Sequence, residues 1–137
     1  MSVKVVGKNK LRSTVASFRK NIAAGLLDAT EAVSDAIVAD AKEFCPVDTG
    51  SLRDSIRRET VNKKGEVMEC RVVAGGRVTN PKTGKKVGYA GHVEFGTSRN
   101  KAQPYLGPAI EKNRQSAEAI EIMKQAVTKA WRVEQNE

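Results

Sequence analysis

From Leu11 to Phe44 an apolar residue recurs every three or four positions: Leu11, Val15, Phe18, Ile22, Leu26, Ala29, Val33, Ile37, Ala41 and Phe44. That is the period of one face of an α-helix. Pro46 disfavours helical geometry at Cys45, so the helix is expected to end near Phe44. Gly25 is the one weak point, costing about 1 kcal/mol relative to Ala. A straight helix of this length measures roughly 50 Å. A compact chain of 137 residues is only about 35–40 Å across. Either the helix bends at Gly25 or one end projects, and a projecting apolar stripe needs a partner.

Beyond Pro46 the pattern shortens. Ser51 to Ile56 reads as one helical turn, with Ser51 and Asp54 at the spacing of a capping box. Residues 57–62 then pair with 66–74 across the turn "NKKGE". In "EVMECRVVA" the alternation puts Met68, Cys70, Val72 and Ala74 on one face. The segment "VGYAGHVEFG" alternates too, and predicts a third strand with Val87, Tyr89, Val93 and Phe95 facing the core. A second long helix is expected over 106–132, its inner stripe formed by Leu106, Ile110, Asn113, Ala117, Ile120, Met123 or Lys124, Val127 and Trp131. The expected fold is a single α+β domain over 1–137: long helix, short helix, three-stranded antiparallel sheet and C-terminal helix, both long helices packed on one face of the sheet. Residues 1–8 are expected to form a flexible basic arm and 76–86 a mobile basic hairpin loop.

Charge adds a regional picture. The net charge is +8, which permits a nucleic-acid partner. Residues 1–20 carry six bases and no acid, whereas 21–48 carry six acids and one base. A helix favours acids at its start and bases at its end, and this one has the reverse. The reversal fits either a head-to-tail contact between copies, with Lys8, Lys10 and Arg12 on one side and Asp35, Asp40 and Glu43 on the other, or a solvated helix whose charges are segregated by accident. Arg77, Lys82, Lys85 and Lys86 form a second basic group, suited to phosphate or an acidic partner. Few aromatics accompany them, so base stacking is poorly supported.

No apolar run approaches the ~20 residues of a membrane span, and the start lacks the pattern of a signal peptide. Cys45 and Cys70 are widely spaced and read as reduced structural thiols. His92 is the sole histidine, and "NPKTGKK" lacks phosphate-loop spacing. No cofactor, metal or small-molecule substrate is expected.

The stretch "PVDTGSLRDSI" contains Asp48-Thr49-Gly50, the tripeptide of aspartic proteases. Such an enzyme needs two carboxylates sharing a proton, and a chain with one motif must dimerise to supply them. Here the motif follows a helix rather than an apolar strand. The simpler expectation is that Asp48 and Thr49 accept hydrogen bonds from free N–H groups at the Ser51 helix start.

Three stretches carry a family resemblance when taken in order. They are "PVDTGSLRDSI" (Pro46, Asp48, Thr49, Gly50, Leu52, Ser55, Ile56), "YAGHVEFGT" (Tyr89, Ala90, Glu94, Phe95, Gly96, Thr97) and "QPYLGPAIE" (Pro104, Tyr105, Pro108). The set resembles the minor tail-component proteins of tailed bacteriophages and prophages, also called neck or tail-completion proteins, over about Pro46 to Glu111. Tyr105 and Gly107 stand where relatives commonly carry Phe and a basic residue. The resemblance implies a non-enzymatic virion protein made in the bacterial cytoplasm. It implies action in tail completion or head–tail joining, as part of a ring through which DNA passes. The implied partners are further copies of the chain and other head–tail proteins, with transient DNA contact. A basic DNA-binding protein is the alternative, and a hydrolase using Asp48 a third.

Overall fold

The structure, a computed structural model, describes residues 7–62 and 68–135. The expected basic arm, apart from Gly7 and Lys8, and most of the "NKKGE" turn lie outside the described residues. The element order is α1 (Lys8–Phe44), α2 (Ser51–Ser55), β1 (Arg57–Asn62), β2 (Met68–Val73), α3 (Ala90–Phe95), α4 (Leu106–Arg114) and α5 (Ala117–Gln135). The class is α+β, as the pattern predicts, and α1 is its spine: β1, β2, α4 and α5 all pack against it.

The α1 helix runs through Gly25 as one element of 37 residues, about 55 Å long. Gly25 serves the packing rather than a break. A Cβ added there would sit 3.2 Å from the carbonyl oxygen of Ala126, so glycine lets α5 approach closely. Phe18 meets Trp131 edge-on, with ring centroids 5.5 Å apart. These two contacts fix α5 antiparallel to the first half of α1. They also leave the first turns of α1 projecting past the end of the α5 contact, where Leu11 is 66% exposed.

Among the described residues the sheet has two strands, not three. β1 pairs antiparallel with β2 in the register Arg57↔Val73 and Thr60↔Cys70. Arg58 ties the sheet to α1, its guanidinium 2.7 Å from Glu31 and 2.8 Å from Asp35. The expected third strand contributes only an isolated bridge, Thr79↔Lys86, at its approach. From Ala90 to Phe95 the chain is helical. Tyr89 and Val93 lie four apart and suit a helix as well as a strand, and the helical turn carries Glu94 towards the start of α4. Phe95 is 83% exposed, so it is not the core aromatic expected of it.

The second long helix also differs from expectation. It divides at Gln115–Ser116, where the Ser116 hydroxyl accepts from the Glu118 N–H at 3.1 Å and caps α5. The predicted inner stripe of α5 faces outward: Ile120, Met123, Val127 and Trp131 are all exposed. The neighbouring stripe, Ile122, Ala126 and Ala130, faces α1 instead. Small residues face Gly25 because the close approach leaves no room for larger ones. The buried core lies at the other half of α1 and joins Ala41, Cys45, Leu52, Ile56, Val87, Tyr105 and Ala109.

Candidate functional site

The three sequence motifs meet around this core. α1 stops at Cys45, whose extended backbone before Pro46 turns the chain outward. Leu52, Ser55 and Ile56 are buried. Ser55 Oγ donates to the Leu52 carbonyl at 2.6 Å and accepts from the Gly75 N–H at 2.8 Å. One hydroxyl thereby closes α2 and holds the chain leaving β2. Gly75 has φ +90°, and a Cβ there would lie 2.7 Å from the Val87 carbonyl oxygen. The loop that follows is closed by backbone bonds, from Gly76 N to Val87 O and from Asn80 N to Lys85 O, both 2.8 Å.

The second and third motifs are joined by Glu94, a buried carboxylate. Its Oε2 accepts from the N–H groups of Tyr105 and Leu106 at 2.8 and 2.9 Å, and its Oε1 from Gly107 at 2.8 Å. A helix start leaves N–H groups without intrahelical partners. Here one side chain satisfies three in a row, and the next residue, Pro108, has none to satisfy. Burial alone would raise the Glu94 pKa, but the three backbone donors outweigh it and hold it below the ordinary value. Nothing in the alternation of "VGYAGHVEFG" signals this bond. The readable clue was the α4 start, Pro104-Tyr105-Leu106-Gly107-Pro108, which has no Ser, Thr, Asp or Asn cap of its own.

Tyr105 is fully buried. Its hydroxyl is 3.4 Å from the Ala90 carbonyl, and burial, with the nearby Cys45 and Glu94, pushes its pKa up to about 12. Thr97 Oγ1 accepts from the N–H groups of Arg99 and Asn100 at 3.2 and 3.0 Å. Gly96, with φ +75°, turns the chain beside Ala102, whose nitrogen would lie 2.7 Å from an added Cβ.

Asp48 does not cap α2. Gly50 occupies the N-cap position without a side-chain bond of its own, while Thr49 does accept from the Ser51 N–H, at 3.4 Å, as expected. Gly50 adopts the left-handed backbone that lets the chain enter α2 directly. Asp54 pairs with Arg53 rather than closing a capping box. The Asp48 carboxylate is instead 2.5 Å from Lys82 Nζ, and 76% exposed. Its partner is a cation, not the second carboxylate that shared-proton chemistry requires. Asp48, Asn80, Tyr89, Val93 and Lys101 line an open cleft of about 360 Å³. His92 is exposed on α3. Both cysteines are free thiols, and burial raises the Cys45 pKa against the opposing effect of Arg53.

The other predicted residues divide. Lys8, Lys10 and Arg12 are exposed along the projecting turns. Of the acids meant to face them, Asp35 is bound to Arg58. Asp40 receives Lys112 Nζ and Asn113 Nδ2, both at 2.6 Å, which lower its pKa. Glu43 is exposed. In the basic loop, Lys82 is held by Asp48, and Arg77 lies 3.7 Å from Glu59. Lys85 and Lys86 are exposed.

The motifs thus build structural joints: a hydroxyl bridge at Ser55 and a carboxylate staple at Glu94. The family model described as "Bacteriophage HK97-gp10, putative tail-component" matches residues 8–96. The chain belongs to this family of phage tail components, and that membership implies a structural protein of the virion. No curated protein and no solved structure matches the chain significantly. Among the described residues, no helix is long and apolar enough to cross a membrane.

Proposed function

We propose that the protein is a non-enzymatic part of the head–tail junction, acting in tail completion or head–tail joining as one subunit of a ring-like homo-oligomer. In this reading it is synthesised in the host cytoplasm and contacts other junction proteins, with DNA passing through the assembly. The observation that carries it is the projecting start of α1, where Leu11 and Val15 are 66% and 49% exposed in a chain of the tail-component family. Exposed apolar residues on a lever beyond the core are surface kept for a partner. Lys85 and Lys86, in the loop, provide cationic groups towards DNA or an acidic neighbour.

The test is genetic and structural. A phage or prophage in which this gene is silenced should accumulate filled heads and separate tails, and plasmid-borne protein should restore joined particles. Mass measurement of the protein released from virions gives the copy number. Normal joined particles without the protein, or its distribution along the whole tail, would defeat the reading. A basic DNA-binding protein would instead bind duplex DNA as isolated subunits, with steep loss on adding salt.

A further inference from the structure

α5 carries two adjacent apolar stripes. Ile122, Ala126 and Ala130 face α1. Ile120, Met123, Val127 and Trp131 run beside them and stay 54%, 38%, 42% and 54% exposed. Their spacing of three, four and four residues is that of a helix–helix seam. The edge-on contact of Trp131 with Phe18 joins this seam to the stripe of α1, so the hairpin presents one continuous apolar face.

We propose that this face seats a second copy of the chain, α5 against α5, antiparallel about a two-fold axis. In that orientation the seam is complementary to itself: Ile120 lies opposite Trp131, and Met123 opposite Val127. A two-fold contact requires this reciprocity. Charge selects the same direction. Glu121 comes opposite Arg132 of the second copy, and both are exposed and without an ion-pair partner among the described residues. Parallel pairing would set Glu118 and Glu121 against their own equivalents.

The hairpin tip reinforces the choice. No acid occurs from Lys8 to Leu27 or from Ile122 to Arg132, while those stretches hold Lys8, Lys10, Arg12, Arg19, Lys20, Lys124, Lys129 and Arg132. A parallel dimer would stack two such tips. The antiparallel one separates them, Lys124 alone staying near the two-fold axis, and brings the projecting turns of α1 beside the start of the second copy's α5, where Glu118 is exposed. The charges set orientation and the apolar seam supplies the affinity. This two-fold contact does not depend on the ring reading, since a ring needs a heterologous surface.

The test uses the full-length chain. Sedimentation equilibrium should give a dimer, and dilution should red-shift the emission of Trp131, the single tryptophan. Val127→Glu and, separately, Ile120→Lys should give folded monomers with unchanged helical circular dichroism. Glu121→Arg should weaken dimerisation about tenfold through loss of two symmetric surface pairs, and adding Arg132→Glu should restore it. A wild-type monomer at all concentrations overturns the proposal, including one that binds anionic vesicles through this face. So does an oligomer unchanged in size by both Val127→Glu and Ile120→Lys, or a charge swap that fails to rescue.

Discussion

The region around Tyr105 and the α1/α5 hairpin are built on opposite principles. Around Tyr105, buried polar groups are satisfied by specific partners: Glu94 by three N–H groups at the α4 start, Ser55 by Leu52 and Gly75. Between α1 and α5 the closest approach rests on small residues, Gly25 against Ala126, and apart from the Phe18–Trp131 contact the larger side chains Ile120, Met123 and Val127 are left exposed. The comparison teaches where the sequence motifs act. They mark the joints that hold the subunit together, while the surface proposed to meet a second copy carries no motif.

The largest test of that division is Glu94→Ala, which strands three backbone donors at a buried helix start. It should cost about 3 kcal/mol in chemical denaturation. A loss below about 1 kcal/mol would mean that water replaces the carboxylate without penalty. Acid should mimic the change. The folded pKa of Glu94 lies below the ordinary glutamate value of 4.5, so the unfolded chain takes up its proton first as pH falls. The stabilisation is present above 4.5, and is lost as pH drops through the lowered folded value. Glu94→Gln should flatten that part of the stability–pH curve.

Next comes Ser55→Ala, expected to cost about 1–2 kcal/mol because the buried Gly75 N–H loses its acceptor. Amide exchange at Gly75 should rise with it. Smaller again are the Asp48 variants. Asn and Ala should behave alike, each within about 1 kcal/mol of wild type, because an exposed ion pair is lost in both. Asn clearly outperforming Ala would restore the capping role. Smallest is Val127→Glu, which should shift subunit stability by no more than about 0.5 kcal/mol. A larger loss in the monomer would make the seam part of the fold and erase the contrast.

The long helix was legible because its period is sustained from Leu11 to Phe44 and ends before a proline. The strand pair was legible for the same kind of reason. Val87, Tyr89, Val93 and Phe95 misled because their spacing fits alternation, whereas the bond to Glu94 that favours a helix here spans eleven residues. In α5 the bulkier stripe looks like core, and the choice of the Ala-rich one is set by Gly25, about a hundred residues before its contact Ala126. The acids of α1 read as unpartnered because Arg58 and Lys112 lie on other elements. Periodicity reports one element at a time, and these outcomes depend on two.

The pairing of α1 with α5 joins the two ends of the chain. During translation, α1 leaves the ribosome first and its Gly25 face stays open until α5 emerges. At ~5–20 residues per second, that interval lasts roughly 5–20 seconds. Subunits bearing an unfinished hairpin expose the same apolar side of α1 that a finished one covers. A chain cut short after Ser116 therefore keeps the Glu94 joint and lacks the helix that shields Gly25 and Phe18. In such a fragment the face of α1 that α5 covers would be left open to contact with other chains.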